Sequence, residues 1–305
     1  MTVTDRSIAQ PGAATIFHEP GPVSRTMHWV ARFSRRQPLG AFSGVVVVVL
    51  VFAAVFANVI APYGANTNNV GAPLSSPSLA HLFGTDNFGR DLFSRVVYGA
   101  RISLYVGLGA TLISAAIATV LGAISGYFGG PFDYILQRFV DTAQSIPALI
   151  LLIGVLVVLG PSINNVMAAI AFRFALALSR VTRGDVIVAR STPYVDAARS
   201  IGGTDMRILF RHILPNIFPT VIVLISTSVG VVIVSEASLS FLGYGVPPPN
   251  PTWGGMMSSS GRTYMLIAPW MLIAPTIALS LVVFAMNMLG DALRDELDPR
   301  MRGSR

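Results

Sequence analysis

Long runs without charge alternate along the chain with short polar segments. Residues 41–61 read AFSGVVVVVLVFAAVFANVIA, 21 positions without a charge, and Pro62 closes them. The repeated valines would suit a buried strand if the run were short. A bilayer's hydrocarbon core takes roughly 20 apolar residues in helical form, so this length predicts a spanning helix. Comparable runs cover 102–126, 142–160, 163–182, 217–241 and 268–290. The second is rich in Gly, Ala and Ser, small residues that let helix backbones approach, which predicts a place inside a bundle. The third carries Pro147 near its start. The fold class that follows is an all-α integral membrane protein with six transmembrane helices over residues 39–305. Residues 1–38, mixed polar and without a signal-peptide pattern, read as a cytoplasmic tail.

One polar segment departs from this rhythm. Residues 194–216 read YVDAARSIGGTDMRILFRHILPN. Thr192 can cap a helix, Pro193 suits its first position, and Asp196 complements the dipole of its first turns. Tyr194, Ala197, Ala198 and Ile201 recur at i, i+3, i+4, i+7, predicting one apolar face with Asp196, Arg199 and Ser200 opposite. Gly202 and Gly203 stop the helix, because glycine accepts the left-handed conformation. A second short helix follows Thr204, with Met206, Leu209, Phe210 and Ile213 on one side, Arg207 and Arg211 on the other, and Pro215 at its end. The expected product is two short amphipathic helices joined at a glycine elbow. Such a pair either lies among lipid headgroups or docks on a protein. The small Ala197–Ala198 face favours docking, since small side chains allow close approach and anchor poorly in lipid.

Composition sharpens this. Apolar residues make up 53% of the chain and charged residues 11%, against about 25% charged in soluble domains. All 21 basic residues are arginine. With the N-terminus inside, sixteen of them fall in inner segments, among them Arg180, Arg183, Arg190, Arg199, Arg207 and Arg211, and only Arg90, Arg95, Arg101 and Arg262 fall outside. The bias predicts that both termini and the elbow are cytoplasmic, and it explains the net charge of +7 without nucleic acid. The absence of cysteine excludes disulfide and thiolate chemistry. The absence of lysine excludes a phosphate-binding G-x-x-x-x-G-K-[ST] loop, so any conventional ATP hydrolysis falls to a partner.

The segment DAARSIGGTDMRILFRHILPN resembles the cytoplasmic EAA loop of permease subunits of bacterial ATP-binding-cassette importers. Asp196-Ala197-Ala198, Gly202 and Leu214-Pro215 match that pattern at its spacing. Asp196 stands for the usual glutamate and His212 for the usual isoleucine. Phe83 to Leu104, FGTDNFGRDLFSRVVYGARISL, and Ser235 to Met257, SEASLSFLGYGVPPPNPTWGGMM, resemble C-type oligopeptide and dipeptide permeases. The resemblance spans residues 39–300. It implies a type I importer permease fold in the bacterial inner (plasma) membrane, with Asp196, Ala197, Ala198, Gly202, Arg207, Arg211, Leu214 and Pro215 coupling to an ATPase. The implied partners are a B-type permease in a heterodimer, two ATPase subunits or one fused ATPase, an extracytoplasmic binding protein, and membrane lipid. The implied cargo is a peptide. ATP and magnesium belong to the ATPase; this chain is expected to bind no cofactor or metal and to catalyse nothing. Related importers carry nickel or glutathione-like compounds, which is the alternative cargo. An ATP-independent secondary transporter is disfavoured, because such proteins place irregular helices at the midplane and this irregular segment is cytoplasmic.

Two charges lie well inside spans, Arg173 and Glu236, whereas Arg180 falls at the inner end of its span. Intramembrane charge is costly and by default faces a bundle interior or a water-filled cavity, so both are candidates for the pathway, singly or as a pair, with a structural pair or subunit contact as the competing reading. Asp86, Arg90, Asp91, Arg95 and Arg101 alternate in sign near the second run, a pattern of salt bridges or of contact with the binding protein rather than of catalysis. Val246 to Gly255, VPPPNPTWGG, reads as a rigid external turn with Trp253 at the membrane interface. His18, His28, His81 and His212 have no metal-ligand spacing.

Overall fold

The computed structural model describes residues 33–297, without the side chains of Ser259 and Leu297. The chain divides into two units, Met1–Pro38 and Leu39–Arg305. Of the first, only residues 33–38 are described, so the expected tail lies largely outside the described residues, as do Arg6, Arg25, Arg32, Arg300, Arg302 and Arg305.

The second unit is helical, and its described residues form no strand, only one isolated bridge between Thr85 and Asp91. Five helices are long and apolar enough to cross a membrane: α1 (Pro38–Val55), α2 (Leu92–Phe128), α5 (Ile163–Arg190), α7 (Asp205–Phe241) and α9 (Trp270–Leu297). Between α2 and α5, helices α3 (Gly130–Ser145) and α4 (Ala148–Leu159) form a pair bent by 98°, a sixth span if the two count as one. Helix α6 (Pro193–Ser200) precedes α7, and α8 (Trp253–Met257) lies between α7 and α9.

The boundaries differ from the expected ones for local reasons. The first span ends at Val55 rather than 61, with a short helix at Ala57–Ile60 after the break. Arg101 of α2 takes the freed carbonyls, its Nε donating to Ala54 O at 2.9 Å and its Nη2 to Val55 O at 3.1 Å. The third run is not a straight span. Proline disfavours helix at the residue before it; Ile146 is extended (φ −82°, ψ 130°) and the chain turns there. Spans two and four run on to 92–128 and 163–190, so segments expected as loops, including Arg95 and Arg183, are helical. The second short helix after Thr204 is not separate either. Residues 205–241 run on through a π-turn at Leu209–Ile213, where the Leu214 N–H donates to Leu209 O. Proline has no N–H and its ring crowds the carbonyl four residues back; the wider π-turn, a known interruption of α-helices, carries the chain past Pro215 without a break.

The bundle centres on α2 and α5. A Cβ added at Gly122 would lie 2.8 Å from Ser179 O and 2.9 Å from Arg183 N, and one at Gly126 would lie 2.7 Å from Arg183 O. Only glycine fits where two backbones approach this closely, as the small-residue pattern predicted. Helix α7 packs on the same helix through Ile233 against Gly107, and α9 on α7 through Gly290 against Ser226. Helix α1 is peripheral, with Val45, Val48, Val49, Phe52 and Val55 exposed, the arrangement expected of side chains in contact with lipid.

Candidate functional site

The elbow begins at Thr192, which is extended; its hydroxyl donates back to Ala189 O at 2.5 Å and does not cap α6. Helix α6 ends as the glycines predict. Gly202 has φ +83°, and the Gly203 N–H donates to Ala198 O at 2.9 Å. The turn into α7 is capped by Thr204, whose hydroxyl accepts from the Arg207 N–H at 3.4 Å.

The two expected apolar faces are split. On α6, Val195 and Ala198 are buried, whereas Tyr194 and Ala197 are exposed and Ile201 is 87% exposed. At the start of α7, Ile208, Leu209 and Ile213 are buried, whereas Met206 (60%) and Phe210 (65%) are exposed. A helix that packs on one side over a bundle buries only the stripe facing it; here that stripe is rotated from the centre of the apolar face, and the rest stays uncovered. Asp196, Arg207, Arg211 and Pro215 are exposed and Leu214 is half-buried. Asp196 makes only a long ion pair with Arg199, 3.8 Å.

Beneath the elbow, the ends of α2 and α5 form its base. Ala123, Tyr127, Val186, Ala189, Val195, Ala198, Ile208, Leu209, Ile213 and Ile217 make one apolar cluster. Tyr127, in the last turn of α2, is 3% exposed. Its hydroxyl donates to Asp205 Oδ1 at 2.6 Å, and its carbonyl accepts from Arg190 Nη1 of α5 at 2.6 Å. The guanidiniums of Arg190 and Arg199 lie 5.7 and 6.0 Å from its ring centroid, within cation–π range. A second tie joins α3 to α5, where Arg183 grips Asp133 through Nε (2.6 Å) and Nη2 (2.5 Å), with Ser125 of α2 also bonded to Asp133. Arg180 pairs with Asp141. The polar ties among these base residues did not stand out in the sequence, because partners 78 and 50 positions apart leave no local pattern.

The chain therefore presents an exposed, partly apolar elbow fixed to the ends of two spans. Residues 118–303, which include it, match the family model described as binding-protein-dependent transport system inner membrane component. The chain belongs to this family. Residues 29–77 match a second model, the N-terminal transmembrane domain of oligopeptide transport permease C, beginning ahead of residue 39 where the resemblance was expected to start. Glutathione transport system permease protein GsiD of Escherichia coli O6:K15:H31 is 42% identical over 292 residues, 93% of this chain and 94% of that protein. Proteins of the same description from Shigella boydii serotype 4 and Shigella sonnei match equally. The permease is thus an inner-membrane component of an ATP-binding-cassette importer with the type I permease fold.

The permease does not bring Arg173 and Glu236 together. Glu236 is fully buried between α7 and α2, accepting hydrogen bonds from Ser240 Oγ at 2.7 Å and Ser103 Oγ at 3.2 Å. Arg173 is half-buried on α5, and its Nε–H has no hydrogen-bond partner. Its neighbour Phe172 meets Phe139 of α3 edge-on, with centroids 6.4 Å apart.

The alternating charges ahead of α2 form a packed cap on its first turn. Asp86 accepts from Arg90 Nε (2.6 Å) and from the Phe88 and Arg90 N–H groups, and it lies 3.7 Å from Arg95 Nε. Asp91 caps α2 at the Ser94 N–H (2.8 Å) and bonds His81 Nδ1 (2.9 Å). Trp253, expected at the membrane interface, is fully buried, and its Nε1–H donates to Val96 O at 3.0 Å. The indole N–H needs an acceptor when buried, and a carbonyl of α2 supplies it.

Proposed function

We propose that the permease forms half of the translocation pathway of an ATP-driven importer, and that its elbow is the surface on which a partner ATPase docks. The uncovered apolar side chains of Ile201, Met206 and Phe210 carry this reading. They share a short segment with Asp196, Arg199, Arg207 and Arg211, charges that are costly in hydrocarbon, and the segment is held on a rigid base. Arginine bias puts the elbow and both termini in the cytoplasm. Without lysine the chain has no P-loop, so ATP and magnesium belong to two ATPase subunits or one fused ATPase. A B-type permease completes the pathway as a heterodimer, and an extracytoplasmic binding protein delivers the cargo.

The cargo in this reading is a short peptide. Relatives named as glutathione transport permeases make glutathione, itself a tripeptide, the first member to test. Arg173 is the pathway residue in this reading, a half-buried charge inside a span, where such a charge by default faces the bundle interior or a water-filled cavity. Glu236 reaches the pathway only in a state where α2 and α7 part. The test is uptake of glutathione and of tri-alanine by proteoliposomes holding this chain, the second permease and the ATPases, with the binding protein outside. ATP-dependent uptake that needs every component is expected. Uptake by this chain alone, or uptake indifferent to ATP, would overturn the reading.

A further inference from the structure

Helix α2 is 37 residues long, about 55 Å at 1.5 Å per residue. Its first turn is built into the charged cap and its last turn into the base of the elbow. Asp91 caps its start and Trp253 is bonded to it at Val96. At its end, Tyr127 is fastened to three other parts of the chain at once. The hydroxyl reaches Asp205, the first residue of α7. The carbonyl takes Arg190, the last residue of α5. The ring lies against Arg199 of α6. Asp205 and Arg199 belong to the elbow itself, on either side of the Gly202–Gly203 turn.

We infer that the Tyr127–Asp205 bond is the linkage through which displacement of the elbow is transmitted to α2, and so to the outer face, which makes Tyr127 and Asp205 positioning residues for energy coupling. This rests on the reading that an ATPase docks on the elbow. The apolar packing beneath the elbow resists separation, but apolar contact is non-directional and permits sliding. A hydrogen bond to a carboxylate is directional and about twice as strong as a neutral one. It fixes the start of α7 against the end of α2 in one register. Asp205 is exposed, but the buried Tyr127 hydroxyl needs an acceptor, so the bond adds direction as well as stability.

Tyr127→Phe tests this with the loss of one oxygen, leaving the ring and the Arg190–carbonyl bond in place. Asp205→Ala removes the acceptor, and Asp205→Asn keeps an oxygen for the hydroxyl. The readout is stimulation of ATP hydrolysis by the binding protein in proteoliposomes of the full complex, which requires a signal to cross from the outer face to the ATPase whatever the cargo. Tyr127→Phe and Asp205→Ala should each cut the stimulated-to-basal ratio at least about fivefold, the lower range of allosteric coupling. The double variant should be no worse than either single one, and Asp205→Asn should restore most of the ratio. A wild-type ratio in Tyr127→Phe, additive losses in the double variant, or failure of Asp205→Asn to restore the ratio would overturn the linkage. Absence of any stimulation in the wild-type complex would instead overturn the ATPase-docking reading on which it rests.

Discussion

The two ends of α2 are both rich in polar side chains, yet they are built to opposite rules. At the end away from the elbow, outer in the proposed orientation, Asp86, Asp91 and Arg95 are buried and their hydrogen bonds close within the chain: Arg95 donates to Ala65 O at 2.7 Å and to Asn66 Oδ1 at 3.2 Å as well as facing Asp86. At the elbow end, inner in the proposed orientation, Tyr127 is buried but its partner Asp205 is exposed, and the neighbouring Ile201, Met206 and Phe210 are left uncovered. A polar cluster that satisfies itself is a structural fastening. A polar cluster set beside uncovered apolar surface is a mount for something else. Charge substitutions should therefore cost stability at the outer end and function at the inner end.

The largest effect on stability is expected from Asp86→Ala. Removing one partner of a buried ion pair costs about 3–5 kcal/mol, because the other charge is left uncompensated; here Arg90 and Arg95 both lose their carboxylate. Thermal unfolding of the purified protein in detergent should show a large fall in midpoint. Asp205→Ala should shift the same midpoint less, by about 1–3 kcal/mol, the cost of leaving the buried Tyr127 hydroxyl without its acceptor. Equal losses at the two positions would erase the distinction between the ends. Asp91→Ala comes next, at about 2 kcal/mol, the upper range for a helix cap, since its carboxylate serves the Ser94 N–H, the Ser94 hydroxyl and His81.

This difference between the ends was legible in the sequence only in part. Alternating charges from Asp86 to Arg95 signalled salt bridges, because partners four residues apart meet on one turn. The elbow was legible because Gly202 and Gly203 interrupt helical spacing within a few residues. Its buried stripe was misplaced, because the periodicity of α6 and α7 shows which side is apolar but not where the bundle lies. The bend at Ile146 was missed for another reason: an apolar run from 142 to 160 satisfies a length rule, and the rule is blind to one proline's geometry. The base of the elbow was invisible. Tyr127, Asp133, Arg183 and Asp205 are ordinary residues until folding brings distant segments together.

At the inner end, Phe210→Ser and Ile201→Ser should leave the unfolding midpoint within about 0.5 kcal/mol of wild type, as exposed substitutions do. Each should weaken retention of the ATPase by more than about 1 kcal/mol, the usual threshold for a contributing interface residue. Co-purification from detergent with a tagged ATPase measures this. Unchanged retention in both would mean that the uncovered apolar side chains are not the docking surface, and that the inner end is as self-contained as the outer one.

The smallest effects separate the two glycines of the elbow. Gly202 has φ +83° and nothing within 4 Å of an added Cβ, so Gly202→Ala meets only the conformational penalty of the left-handed region, roughly 1–2 kcal/mol. Gly203 has no such φ, but its Cβ would lie 2.6 Å from Ala198 O, and that oxygen accepts the N–H that closes α6. Gly203→Ala must therefore push the end of α6 away from the start of α7, whereas Gly202→Ala need not. ATP hydrolysis per cargo transported should rise more for Gly203→Ala than for Gly202→Ala if the elbow works as a rigid angle. If Gly202→Ala proves the worse of the two, the turn must change conformation during transport, and freedom at Gly202, rather than close packing at Gly203, is what the elbow requires.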